Sequence, residues 1–327
     1  LASDLDSSAG EGQIWFNTTS GDFKTILAAG SWSTGGNLVA AKRASASAGT
    51  QTAAFTAGGI SADDAGTTQS EEYNGTTWAE GNNLNNGRYS PGGTGTQTAG
   101  LCASGTLPSP AGGAQVHSEE YNGTSWAEGD NNNTGRSWAG CCGVQTAAIL
   151  VHGQYQPGVA NFVETYDGTS WTESGGHLNT NRTRLAGSGT STAGLAVGGE
   201  TAPGASQTVT ELYDGSSWTE TGDIGTAADN LAASGTQTST LSFGGTPASN
   251  KAQSFDGTTW TQQSNLSTGR EELNGAGASA TSSLCIGGIV STTLQTATEE
   301  YSFSTLAAGA WATGGTMVGK AEGGAMA

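Results

Sequence analysis

YNGTTW at residues 73–78 returns as YNGTSW at 121–126, YDGTSW at 166–171, YDGSSW at 213–218 and FDGTTW at 255–260. Asn-Gly and Asp-Gly bring the positive φ that a tight hairpin needs, so the aromatic before and the Trp after are predicted to face each other on antiparallel strands. Upstream lie TAAFTAGG (52–59), TAGLAVGG (192–199), TSTLSFGG (238–245) and SSLCIGG (282–288), each a half-buried strand stopped by Gly-Gly. Earlier still come small-residue strands such as RASASAG (43–49), GGTGTQT (92–98) and LAGSGTS (185–191). Small side chains suit an innermost strand, where neighbouring units crowd around an axis. Each unit therefore holds four strands, inner to outer.

Aligned on Trp, the unit recurs at Trp32, Trp78, Trp126, Trp171, Trp218, Trp260 and Trp311, at gaps of 46, 48, 45, 47, 42 and 51 residues. That period calls for a propeller or a solenoid. A buried Trp removes roughly 150–250 Å² from water and contributes about 4–6 kcal/mol gross, so the repeated Trp is read as packing between units. No segment has helical apolar spacing, and 54 glycines oppose long helices. The expectation is an all-β, seven-bladed β-propeller of four-stranded blades over residues 12–327, with residues 1–11 as an N-terminal extension. Closure is expected from the tail TMVGKAEGGAMA (316–327), an inner strand joining three N-terminal strands, GQIWFN (12–17), DFKTI (22–26) and SWSTG (31–35). Six blades with unpaired ends is the alternative.

Only 12% of residues are charged and the formal net charge is −18, so the mean field repels nucleic acid and anionic bilayers. No apolar run is long enough to cross a membrane. Cys102, Cys141, Cys142 and Cys285 sit in apolar strand-like runs without a CxxC pair and read as small buried hydrophobes rather than a disulfide framework.

The Gly-Gly strand end, the following Tyr and the Trp five residues later resemble kelch repeats, a resemblance that covers nearly the whole chain from about residue 12. Two units depart from it, with CASG (102–105) and LVHG (150–153) in place of Gly-Gly, and are expected to bend differently. A narrower likeness joins the unit SEEYNGTTW…GTQTAGL and the opening GQIWFNTTSGDFKTI to virion structural proteins of marine, cyanobacterial-type tailed bacteriophages. It implies a non-enzymatic component of a virion surface, in tail, fibre, neck or capsid decoration. Its loops would contact a host receptor or glycan or other virion subunits, and homo-oligomers are common on such particles. The alternative is a secreted carbohydrate-binding or carbohydrate-active propeller, lectin-like or a glycoside hydrolase.

An Arg recurs between units at Arg43, Arg88, Arg136, Arg182 and Arg270, while the fifth unit reads TAADN (226–230). Gathered on one face, these would clasp anionic glycans through bidentate hydrogen bonds. The preferred reading is structural: each pairs with an acid of the recurrent EEY or ETY segment, such as Glu72, Glu120, Glu164, Glu211 or Glu300, and staples the repeats. Three histidines, His117, His152 and His177, lie in different units without metal-ligand spacing, so neither a copper-oxidase centre nor any cofactor is expected. Acidic pairs such as Asp63-Asp64 and Glu271-Glu272, and the loop GDNNNTG (129–135) as a calcium site, are weaker candidates. The longest non-repeating loops, 59–69, 106–117 and 155–162, are where recognition is expected.

Overall fold

The computed structural model describes residues 14–17, 22–25 and 30–303, apart from 63–64, 109–111, 156–157, 160–161 and 202–203. Two units result. In the first, Ile14–Asn17 pairs antiparallel with Asp22–Thr25. The second is a β-propeller of six four-stranded antiparallel sheets, with no helix among the described residues.

From axis to rim, blade 1 runs Ala46–Thr50, Ala53–Ala57, Ser70–Tyr73 and Trp78–Glu80, and blade 2 runs Gly92–Thr96, Ala99–Ala103, Ser118–Tyr121 and Trp126–Glu128. Blade 3 holds Gly140–Val144, Ala147–Val151, Val163–Tyr166 and Trp171–Ser174; blade 4 holds Ala186–Thr190, Ala193–Val197, Thr210–Tyr213 and Trp218–Glu220. Blade 5 holds Ala232–Thr236, Ser239–Phe243, Ala252–Phe255 and Trp260–Gln262. Blade 6 takes Asn274–Ser279, Ser282–Ile286 and Thr298–Phe303, and receives its outermost strand, Gly30–Thr34, from the other end of the chain.

That last strand corrects the expected seven blades to six. SWSTG does not end a seventh blade with the two strands before it, but completes the sixth: Trp32 packs at 5.1 Å from Tyr301, as Trp78 packs at 5.0 Å from Tyr73. Trp32 thus holds in blade 6 the place that the repeat period had given to Trp311. The ring closes without a seventh unit, the inner strand of blade 6 lying against that of blade 1. Trp311 and the tail 316–327 lie outside the described residues.

Within the blades the alternation is as the residues dictate. Inner strands such as GGTGT carry almost no side-chain bulk because neighbours touch backbone to backbone. A Cβ on Gly93 would sit 2.6 Å from the Ser47 amide nitrogen and 2.7 Å from the Ala46 methyl. Second strands such as AAILV are buried on both faces. The core therefore lies between blades: Phe55 and Ala57 of blade 1 pack with Cys102, Tyr121 and Trp126 of blade 2, and Ile149 and Val163 of blade 3 with Tyr213 and Trp218 of blade 4.

The hairpins pair Tyr73 with Trp78, Tyr121 with Trp126, Tyr166 with Trp171, Tyr213 with Trp218 and Phe255 with Trp260. Positive φ falls on the glycine alone, 86° at Gly75 and 101° at Gly257. The Asn or Asp before it does other work. Asp167 Oδ1 accepts from the amides of Thr169 and Ser170, both at 2.8 Å, and holds the same turn that Asn74 and Asn122 hold. Blades 2 and 3 do not bend differently: Ser104 and His152 adopt φ of 62° and 49° at the position where Gly58 and Gly198 adopt 67° and 63°.

A second repeated device staples blade to blade. Gln97 Nε2 donates to the carbonyls of Ala54 and Tyr73, Gln145 to those of Gly100 and Tyr121, Gln237 to those of Gly194 and Tyr213, and Gln51 to those of Ser283 and Tyr301.

Candidate functional site

The two faces of the ring differ in kind. One carries the hairpins just described, nearly identical from blade to blade. The other carries the connections between second and third strands and the segments leading into each inner strand, which bridge one another at Arg43–Ile60, Tyr89–Thr106, Ser137–Gln154, Thr183–Glu200 and Glu271–Ile289. The non-repeating loops all belong to this face.

At its centre, two residues before each inner strand, stand Ala44, Ser90, Trp138, Arg184, Asn230 and Glu272. All six have φ between 51° and 58°, the left-handed region that side chains other than Gly, Asn and Asp rarely enter. Their backbones hold one another there. Ser90 N–H donates to Ala44 O, Trp138 to Ser90, Arg184 to Trp138, Asn230 to Arg184, Glu272 to Asn230, and Ala44 back to Glu272, at 2.7–3.0 Å. A closed cycle of six hydrogen bonds thus frames the mouth of the axial channel. The backbone is constant and the six side chains are all different.

Those side chains line a cavity of about 90 Å³ together with Asn274 and the residues that immediately precede the inner strands, Pro91 and Leu231 among them. Arg184 lies over the Trp138 indole at 5.1 Å and its Nε stands 3.3 Å from Glu200 Oε1. Across the mouth Arg43 is bonded to Glu272. Burial raises the Glu272 carboxyl above its ordinary range, while the charges of Arg43 and Arg184 draw it back. Three buried polar atoms in the lining, Ser90 Oγ, Asn230 Oδ1 and Arg184 Nε, have no hydrogen-bond partner, the last meeting Glu200 only as an ion pair. The mouth offers a guanidinium and a hydroxyl as donors, an amide oxygen and a carboxylate as acceptors, and an indole. This set suits holding a small polar group; Ser90 Oγ has no base beside it to make it a nucleophile.

Four of the five recurrent arginines are elsewhere. Arg88, Arg136, Arg182 and Arg270 are completely buried between blades and paired with Glu119, Glu164, Glu211 and Glu299. A glycan cannot reach them. The fifth such cation is Lys42, 2.9 Å from Glu71, and Arg43, one residue on, bonds the mouth residue Glu272 instead. The acids Glu72, Glu120 and Glu300 face the other way and accept from the phenols of Tyr121, Tyr166 and Tyr73 of the adjoining blade. Of the expected partners, Glu164 and Glu211 are the ones the structure places on arginine.

Register is the signal that separates them. Each buried cation stands four residues before its inner strand and each buried acid two before the Tyr of its third strand, a rule that Arg43, Glu72 and Glu120 break. The mouth residues escaped sequence reading because they do not repeat, although the residue two places after each buried cation marks them. Trp78, Trp126, Trp171 and Trp218 are buried, and Trp32 and Trp260 half-buried, all in packing roles.

Other candidates have structural duties. In the loop 129–135, Asn132 bonds Ser104 and Thr134, while Asn133 bonds Glu164 and Trp171. His152 is buried, and the four cysteines are free thiols. Burial pushes Cys102, Cys142 and Cys285 up to about 12. Asp63 and Asp64 lie outside the described residues.

The fold is similar to that of YjhT. The solved structure titled "Structure of YjhT" superposes with a TM-score of 0.67 at 13% identity, covering 80% of this chain and 95% of that one. At this identity the likeness establishes the β-propeller architecture alone. No protein-family model matches the sequence, and no curated protein matches it.

Proposed function

We propose that this chain is a non-enzymatic virion-surface component of a tailed bacteriophage, whose kelch-like propeller recognises a host receptor or a neighbouring virion subunit through the loop face around the axial mouth. The observation that carries the recognition role is the contrast between faces: one is built of repeated turns that satisfy their own hydrogen bonds, the other sets six different side chains around the mouth and carries the non-repeating loops. Rigid frames with variable loops are the usual arrangement for binding. The virion assignment rests on the repeat and the opening segment resembling phage structural proteins.

Immunogold labelling of intact particles with antibody against the chain tests the assignment, and competition by the purified protein for particle adsorption tests the role. Labelled particles, and competition lost in Trp138→Ala/Arg184→Ala but kept in Thr76→Ser on the opposite face, are expected. Particles that lack the chain would overturn the reading.

A second reading, a secreted carbohydrate-binding or carbohydrate-active propeller, is favoured by the indole and unpaired polar atoms in the mouth. Saturable binding on a glycan array by the wild-type protein alone, without particle labelling, would select it, and turnover of the bound sugar would make it an enzyme.

A further inference from the structure

Five of the six blade junctions are filled in the same way. A cation at Lys42, Arg88, Arg136, Arg182 or Arg270 enters the space between blades and meets a buried Glu. Where the cation is Arg, its Nη1 also donates to backbone carbonyls at fixed places. Arg182 donates to Gly198 and Val209 at 2.6 and 2.7 Å, and Arg270 to Gly287 and Ala297 at 3.1 and 2.7 Å.

The sixth junction, in blade 5, has Ala228 in place of the cation and Gln253 in place of the acid. The space has not collapsed. A cavity of about 210 Å³ remains, walled by Ile224, Ala227, Ala228, Leu231, Phe243 and Pro247. Gly244 and Lys251 stand where Gly198 and Val209 stand in blade 4, the same N–H to carbonyl bond joining each pair at 3.0 Å. The Gly244 and Lys251 carbonyls thus occupy the guanidinium-accepting places, and a carbonyl has a second lone pair to give. The connection that covers the junction is also the shortest of the six. It spans 244–251, whereas those of the other blades run to between 11 and 14 residues, and Pro247 and Lys251 at the rim are exposed. Two independent changes, loss of the filling side chain and shortening of the cover, meet at one junction.

We infer that this vacated arginine slot is a binding site for a neutral ligand with a planar amide or urea head on a short apolar stem. Size and direction follow from the filled slots, since the ligand takes the course of the missing side chain. Neutrality follows from Gln253. A guanidinium entering here would be desolvated without a carboxylate to receive it and with the Lys251 side chain at the rim, which is unfavourable. An amide head instead presents N–H to the Gly244 and Lys251 carbonyls and its own carbonyl to the Gln253 amide group, whose Oε1 is already taken by Gly225 N–H at 2.8 Å. Leu231 lines both this slot and the mouth, so the site belongs to the recognition face, yet it stands whether or not the chain comes from a virion.

Titration calorimetry of the whole chain with N-butylurea and with N-butylguanidinium tests the inference. Saturable binding of the urea, at least about tenfold tighter than the guanidinium, is expected. Gln253→Glu should shift that preference toward the guanidinium by about tenfold, because a hydrogen bond to a charged group outweighs a neutral one by about that factor. Ala228→Arg, which restores the filled junction, and Ala228→Met, which fills it with apolar bulk, should each abolish binding. A Gly-Gly-Gln-Gly-Gly peptide distinguishes the sources: binding as tight as the urea identifies a partner protein's side chain, and no binding identifies a free small molecule. Absence of saturable binding by the urea, wild-type preference for the guanidinium, or undiminished binding in both Ala228 variants would overturn the inference.

Discussion

His152 sits where Gly58 and Gly198 allow the chain to turn, and it turns with φ of 49°. Its Nε2 accepts from Leu178 N–H at 3.2 Å and its Nδ1 faces Arg182 N–H at 3.5 Å, so the imidazole ties blade 3 to the segment leading into blade 4. Burial, with the charges of Arg182, His177 and Arg136 behind it, pushes its pKa from 6.5 down to about 3. The unfolded chain therefore binds this proton first as pH falls. Stability from the neutral imidazole is complete above about 6.5 and is lost as pH falls toward 3, at up to about 1.4 kcal/mol per pH unit. His152→Asn, which tolerates positive φ, should flatten this part of the stability profile, measured by urea unfolding across the window. An unchanged slope would show that other groups carry the acid sensitivity.

Among the elements, the buried ion pair is the unit of blade-to-blade specificity, and blade 5 shows what happens without it. Removing one partner leaves the other charge buried and unpaired, so Arg136→Ala should lose about 3–5 kcal/mol in urea unfolding. Adding Glu164→Gln, which reproduces the Ala228 and Gln253 arrangement, should recover part of that loss. A double variant less stable than Arg136→Ala would sink the argument. The same element shows how far sequence carries. The hairpin, the all-β class and the four strands per blade were legible because each rests on local chemistry repeated in register: Gly at a turn, Tyr beside Trp, Gly-Gly at a strand end. Which of two adjacent acids meets the arginine was not, since in EEY one carboxylate points to each face and only the partner blade decides. The mouth was hidden for a related reason: the left-handed φ that makes Ser90, Trp138 and Arg184 neighbours is imposed by the cycle of backbone hydrogen bonds, to which their side-chain types contribute nothing.

Over the whole molecule, closure depends on the strand Gly30–Thr34. Trp32 packs against Tyr301 and Phe243, both at 5.1 Å, and its Nε1 donates to Ser264 O at 2.9 Å, so this strand locks blade 6 to blade 5 as well as completing its sheet. A chain beginning at Gly36 should be at least about 3 kcal/mol less stable by thermal or urea unfolding. Its bare Thr298–Phe303 edge should also make it associate with concentration in light scattering. A monomeric truncated chain of full stability would mean that the latch is dispensable. Blade count was misjudged at this scale because Trp32 and Trp311 satisfy the same period, and only pairing across the chain tells which one finishes the ring. The six-membered hydrogen-bond cycle also has an electrostatic corollary. At a helix terminus, peptide dipoles add along one axis and draw an anion. Around a closed circle they run head to tail, and their components in the plane of the circle cancel. The frame of the mouth therefore favours no sign of charge within that plane. The charge of the opening is written by Arg43, Arg184, Glu272 and their neighbours, so its sign can be rewritten by exchanging side chains while the backbone stays as it is.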